Sequence, residues 1–261
     1  AGTESRGDCT NRGGAEVNDW LTIPDGKATG CLPRASKPGE WCPMLAERIE
    51  VIDPREWDGI LREREASGEV LNGRADVRKI KDQDGIGSCA TESTAQAIEV
   101  TMVRAGQPWE ELNPWSIYRV TSDGRDAGSN IDRNLQFARD VGVLPVKFFP
   151  RYDPAGKVVN RWNARPPAGW EEIASQYRID EWYDCTTTAD IGTALLLGFA
   201  VVIGWSGHSE LLVDLLPGQK AMVANSWGTQ WGDGGFHAEP LSRVNFRYGA
   251  FAVRTNVDRG I

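Results

Sequence analysis

Residues 82–106 read "DQDGIGSCATESTAQAIEVTMVRAG", and everything else in the chain turns on this stretch. Up to Gly87 it is small and polar, with a glutamine at Gln83. From Ser88 the period becomes helical: Thr91, Thr94, Ala95, Ile98 and Met102 fall at i, i+3, i+4 spacing, and Gly106 stops the run. Cys89 therefore sits at the start of a helix. A free cysteine is usually a small buried hydrophobe, but a helix N-terminus is also where a thiolate is stabilised. The rest of the chain has to decide between the two.

Downstream of this helix, Asn113-Pro114 predicts a cap and first-turn proline for a short helix through Tyr118. "SNIDRNLQFARDVG" (129–142) places Ile131, Leu135 and Ala138 on one helical face, with Gly142 ending it. A further helix is expected from about Thr188 across "ADIGTALLLG". The period then changes. "FAVVIGW", "HSELLVDLL", "KAMVANSW", "GGFHAE" and "YGAFAVRT" are short β-rich runs separated by turn residues. Helices first and strands last predict an α+β fold, with two lobes and a cleft between them.

Composition narrows the possible functions. A net charge of −8 with no basic block argues against nucleic acid as a partner. The longest apolar run, "ALLLGFAVVIGW" (194–205), is broken by glycine and is far shorter than the ~18 residues or more of a membrane span. The five cysteines, Cys9, Cys31, Cys42, Cys89 and Cys185, form no CxxC pair, so a zinc ribbon is not expected. An odd count leaves one thiol free. If that one is Cys89, pairing of Cys9, Cys31, Cys42 and Cys185 would place the chain in an oxidising, secreted or extracellular setting; four reduced buried thiols fit the same sequence. Residues 1–50 are rich in Gly, Pro and charge and read as an irregular N-terminal extension to a body at 51–261.

Only two histidines exist, His208 in "GHSELLVD" and His237 in "GGFHAE". A thiol nucleophile needs a base to carry its proton, a group to orient that base, and donors for an oxyanion. Cys89, His208, Asn225 and Gln83 supply one residue of each kind. His237 has no motif around it and is expected as a strand residue with a satisfied ring. Trp231 and the "GDGG" turn are expected to shape a hairpin, and Glu110-Glu111 and Glu171-Glu172 to be solvated faces.

"KDQDGIGSCAT", "GHSELLVD" and "NSWGTQWGDGGF" (225–236), in that order, resemble the papain family of cysteine proteases. The resemblance extends over residues 51–261, because "VIDPREWD" is similar to the family's mature start. It implies a papain-like fold, with a helical first lobe, an antiparallel β-barrel-like second lobe and the active-site cleft between them. It further implies Cys89 as nucleophile, His208 as proton carrier, Asn225 as its orienter, and Gln83 in the oxyanion hole. Trp227 would cover the Asn–His hydrogen bond. Gly128, Ser129 and Asn130 fall where the family lines its substrate cleft, and a plain loop fits that segment as well. No metal or organic cofactor is implied, and the partner is a peptide or protein substrate. Three positions depart from the family: Ile86 replaces a cysteine, Ala90 a tryptophan and Gly207 an acidic residue. For residues 1–50 the open readings are a short pro-segment over the cleft, a cross-linked collar, or an arm attaching the chain to a larger assembly. The assembly reading carries its own alternative function, a papain-like fold kept as a structural or binding component with weak or no activity.

Overall fold

The computed structural model describes residues 23–69 and 72–255. Among them the helices are α1 (Trp57–Ser67), α2 (Gly73–Asp76), α3 (Cys89–Arg104), α4 (Trp115–Thr121), α5 (Ile131–Asp140), α6 (Trp170–Ala174) and α7 (Thr188–Leu196). The strands are β1 (Cys31–Leu32), β2 (Ser129–Asn130), β3 (Glu181–Asp184), β4 (Ala200–Gly204), β5 (Ser209–Leu216), β6 (Lys220–Ala224), β7 (Phe236–Pro240) and β8 (Ala250–Arg254). Each periodic segment named above forms the element its period predicts. The two-residue strands β1 and β2 and the short β3 have too little length to show a period.

Six strands form one antiparallel sheet in the order β3-β8-β4-β5-β6-β7. Both faces of this sheet are covered, and strict alternation sorts its side chains between them. Val202, Leu211, Val213, Phe251 and Val253 face Ile98 of α3, Ile117 of α4, and Ile131 and Leu135 of α5. Val201, Ile203, Leu212, Val223 and Ala252 face Ile191, Leu195 and Leu196 of α7, together with Trp57 and Leu45. The helical part is therefore not an independent body, because α3 shares its core directly with the sheet.

Local chemistry sets the element ends. Thr187 caps α7 through a reciprocal pair: its hydroxyl accepts from the Asp190 amide at 3.1 Å, and the Asp190 carboxylate accepts from the Thr187 amide at 2.9 Å. Asn113 accepts from the Trp115 amide at 2.9 Å, which starts α4.

Helix α3 is buried nearly all round, so its polar side chains have to be paired. Lys81 meets Glu99 and also donates to the Leu112 carbonyl at 2.8 Å, with both charged side chains 3% exposed. One turn from the helix start, Glu92 meets Arg151 at 3.2 Å and accepts from Ser88 at 3.0 Å. Arg151 in turn lies over the Trp115 ring at 3.9 Å and donates to the Asp82 carbonyl at 2.8 Å. These bonds tie the loop carrying Gln83 to the first turn of α3.

The described segment before α1 is not a free tail. Cys31 and Cys42 lie in the core beside α3 and the sheet. Cys31, Cys42, Cys89 and Cys185 are all free buried thiols, so no cross-linked collar exists among the described residues; Cys9 lies outside them.

Replacing Lys81 with Met should leave the buried Glu99 charge without its partner. Removing one member of a buried ion pair costs about 3–5 kcal/mol. Urea unfolding of Lys81→Met should show a loss of that size.

Candidate active site

Cys89 is the first residue of α3, and its position against the sheet is set one turn later. The Ser93 hydroxyl donates back to the Cys89 carbonyl at 3.1 Å and bonds the Ser209 hydroxyl across the domain at 2.7 Å. Ser209 opens β5 and directly follows His208. The Ser209 amide favours a thiolate at Cys89. The start of α3 and the start of β5 thus meet, bringing the thiol beside the imidazole's own strand.

His208 is fully buried, and its Nε2 lies 2.9 Å from Asn225 Oδ1. Nδ1, at the other side of the ring, has no hydrogen-bond partner. Trp227 stacks on the imidazole at 4.3 Å with an interplanar angle of 22°. The indole excludes water from the Asn–His bond, and the bond fixes the plane of the ring. Asn225 Oδ1 also accepts from the Ser226 amide at 2.6 Å, which holds the amide oxygen toward His208.

Gln83 is equally well held. Ser226 holds it in two ways: the backbone N–H of Gln83 donates to the Ser226 carbonyl at 2.9 Å, and the Ser226 hydroxyl donates to Gln83 Oε1 at 2.7 Å. This leaves the Nε2 end as a donor. It donates to the Ile86 carbonyl at 2.8 Å and to the Ala28 carbonyl at 3.0 Å.

Ala28 belongs to the N-terminal segment, and that segment runs across the whole constellation. Trp227 Nε1 also donates to the Ala28 carbonyl, at 3.2 Å. The amides of Gly30 and Cys31 both donate to the Gly207 carbonyl, at 3.0 and 2.8 Å. The Ser129 amide donates to the Gly30 carbonyl at 2.8 Å, and β1 pairs in parallel with β2, Cys31 opposite Ser129. The Gly30 amide also favours a thiolate at Cys89. Of the cleft residues singled out in the sequence, Ser129 and Asn130 bind this segment: Asn130 donates to the Pro33 carbonyl at 2.6 Å. Gly128 allows the approach, since a Cβ there would lie 2.2 Å from the Gly30 carbonyl oxygen.

Beyond the cleft, two buried carboxylates anchor the same segment. Asp132 accepts from the Ala35 amide, the Ser36 amide and the Ser36 hydroxyl, at 2.8, 2.6 and 2.7 Å. Asp184 takes the Arg34 guanidinium at 2.5 and 3.1 Å and the Gly39 amide at 3.0 Å. Their partners lie about a hundred positions or more away in the chain, which is why sequence spacing does not find them.

The cover has an electrostatic consequence. Burial pushes the Cys89 thiol up to about 12, although the amides of Ser209, Gly30 and Ala90 favour its thiolate. The same burial pushes His208 below its ordinary value, against the pull of Glu210 and the Asn225 bond. Burial thus favours the uncharged form of each group, the thiol at Cys89 and the neutral ring at His208.

One expectation needs correction. His237 does lie in β7, but its ring is not satisfied: Nε2 makes no hydrogen bond and stands 3.4 Å from the carboxylate of Glu210. Sequence reading also missed Glu210 itself, a buried carboxylate in β5. Among the described residues, no group of three His, Cys, Asp or Glu side chains is placed to hold a metal ion, and no helix is long and apolar enough to cross a membrane.

The architecture matches solved cysteine protease structures. Xylellain, a cysteine protease from Xylella fastidiosa, superposes with a TM-score of 0.60 at 19% identity, covering 90% of this chain and 100% of that one. Digestive procathepsin L 3 from the larval midgut of Tenebrio molitor gives 0.56 at 16% identity, over 71% of this chain and 69% of that one. The Carica candamarcensis cysteine protease CMS1MS2, solved in complex with E-64, gives 0.53 at 18% identity, over 70% and 95%. No family model and no curated protein sequence matches the chain. The fold is that of the papain-like cysteine proteases, and at these identities the likeness is one of fold.

A side chain at Gly30 cannot coexist with the seated segment, because its Cβ would lie 2.0 Å from the Gly87 carbonyl oxygen. Gly30→Val should therefore displace the segment and expose Cys89. Alkylation of Cys89 by iodoacetamide, read by peptide mass spectrometry, should speed up about tenfold to a hundredfold, as overpacking of about 1–3 kcal/mol implies.

Proposed function

We propose that the chain is a cysteine peptidase held latent by its own N-terminal segment. The observation that carries this reading is the buried His208–Asn225 bond at 2.9 Å under Trp227, with the opposite ring nitrogen unpartnered beside the start of α3. A purely structural histidine would use both nitrogens or lie where water can reach it. Here one nitrogen is fixed by an amide oxygen and the other is kept available.

Once the segment leaves, water returns to the cleft and the desolvation that holds Cys89 protonated falls away. The thiol proton passes to His208, and the resulting thiolate is stabilised by the α3 N-terminus and the imidazolium. The sulfur attacks a peptide carbonyl carbon. Gln83 Nε2 and the Cys89 backbone N–H, which as the first helical amide has no partner within the helix, hold the oxyanion. His208 then gives its proton to the leaving amine and the C–N bond breaks, leaving an acyl-enzyme. A water molecule, deprotonated by His208, attacks that thioester, and breakage of the C–S bond regenerates the thiol. Asn225 keeps the ring in one orientation throughout.

The seated segment itself supports latency. It places the Ala28 carbonyl on the Gln83 donor and the Gly30 amide where it acts on the Cys89 thiol. Its backbone thus uses the groups that a substrate would need.

Hydrolysis of a fluorescently labelled unfolded protein should be slow with the native chain and faster with Gly30→Val. In the Gly30→Val background, Cys89→Ala should abolish turnover without changing the unfolding midpoint, and His208→Ala should lower it by about 10²–10⁴-fold. Turnover that survives Cys89→Ala overturns the mechanism. An alkylatable Cys89 with no hydrolysis of any protein substrate would favour the reading as a binding component of an assembly.

A further inference from the structure

Glu210 lies two residues beyond His208, so strand alternation turns both side chains to the same face of the sheet. Register extends this grouping. Leu211 pairs with Ala224, so the next position along sets Glu210 opposite Asn225. Leu212 pairs with Val223, which pairs with His237, so His237 shares the face as well. Four polar side chains, His208, Glu210, Asn225 and His237, therefore stand together on a face otherwise made of Ile203, Leu212 and Val223.

The Glu210 side chain is fully buried and neither carboxylate oxygen makes a hydrogen bond. Its nearest charged neighbour is His237 Nε2 at 3.4 Å, an ion-pair contact not aligned as a hydrogen bond. A buried carboxylate is costly, and an apolar side chain would fill the position without that cost. The aromatic rings link the two imidazoles. His208 stacks on Trp227 at 4.3 Å, Trp227 meets Trp231 edge-on at 5.6 Å, and Trp231 meets His237 edge-on at 4.9 Å.

We infer that Glu210 and His237 are a positioning pair that sets the charge on His208: the Glu210 carboxylate favours the imidazolium, and a protonated His237 opposes it. The inference rests on His208 being the proton carrier of the site. The directions agree with it, since the Glu210 charge raises His208 while His237 lowers it. His237 itself is held above its ordinary value by Glu210 and then Glu239, although burial, the largest single influence, works the other way. The other groups facing the pair are few. Glu239 approaches His237 Nδ1 at 3.7 Å and is itself bound by Arg243 at 2.7 Å. The elements on either side contribute Ile203 from β4, Val223 from β6, and the neutral Asn225, Trp227 and Trp231.

Because His237 is 19% exposed while Glu210 is not exposed at all, solvent protons reach the pair through His237. When His237 loses its proton, the Glu210 charge is left uncompensated and acts on His208 alone. The pair would then keep the imidazolium to a higher pH than burial alone would allow.

The chain has only two histidines, so both rings can be followed in the full-length protein by nuclear magnetic resonance. Imidazole signals would be titrated from about pH 4 to about pH 9, a range around the ordinary histidine value of about 6.5. The wild type would be compared with Glu210→Gln and His237→Gln, the latter also assigning the signals. Glu210→Gln should lower the His208 midpoint by about one pH unit, the effect of removing a nearby opposite charge. His237→Gln should raise it. Midpoints that stay fixed in both variants, or that move in the same direction, overturn the inference. So does a His208 ring that stays neutral across the range in all three proteins. His237 lies near the surface, so its variant keeps the test available if Glu210→Gln fails to fold. The readout needs no turnover, and its failure is therefore distinct from failure of the peptidase reading.

Discussion

The contact between the first turn of α3 and the first residue of β5 is the constraint on which the site depends. It is made by two serine hydroxyls, Ser93 and Ser209, 2.7 Å apart in a place without solvent. Neither serine is chemically reactive in the reading given above, yet together they decide how far Cys89 stands from the strand that carries His208. Buried hydroxyls pair in preference to remaining unpaired, because an unmet buried donor costs more than the bond itself contributes. The bond therefore acts as a spacer between helix and sheet. The Glu92–Arg151 and Lys81–Glu99 pairs brace the same helix from its other sides, so its start has little freedom to move relative to Gln83.

Much of this was legible in the chain, for reasons that differ residue by residue. Helix α3 shows itself because its apolar residues repeat at helical spacing over sixteen positions, and β4 to β8 because they are short β-rich runs of five to eight residues divided by turn residues. His208 stands out because the chain has only two histidines, while Cys89, Asn225 and Gln83 stand out through the motifs around them that resemble the papain family. The path of residues 28–36 could not be read. Its hydrogen bonds are made by backbone, which every residue carries, and its anchors at Asp132 and Asp184 are ordinary acids until the fold brings them close. Glu210 escaped for a related reason. An acidic residue near the start of a strand reads as a solvated position, and only the sheet register shows that it faces inward beside His237. His237 was expected to be quiet because nothing next to it in sequence has chemistry; its neighbours are supplied by β5 and by the loop that carries Trp231.

Cys89 and His208 illustrate how one physical cause can act in opposite directions on two groups. Excluding water penalises a charge wherever it forms, so the thiol keeps its proton and the imidazole gives its proton up. A thiolate–imidazolium pair needs both groups charged, and the covered cleft disfavours both. Latency in this reading requires no distortion of the site. The side chains keep their places and only the dielectric around them changes, so activation would not have to rebuild the geometry.

The contacts across the cleft are mostly single backbone hydrogen bonds, at Gly30, Cys31 and Ser129, and each such bond contributes only about 0.5–1.5 kcal/mol net. Across the cleft itself this grip is weak, and the segment is also held by its anchors at Asp132 and Asp184 and by its covalent join to the body it covers. A tether of this kind presents its end at an effective concentration that can reach about millimolar. One cut in the backbone between the segment and the body would abolish that advantage at a stroke. The released piece would then have to compete from bulk solution, where dilution favours its departure. Chain continuity thus adds to the anchors in retaining the segment, and proteolysis can turn its release into an irreversible, one-way change.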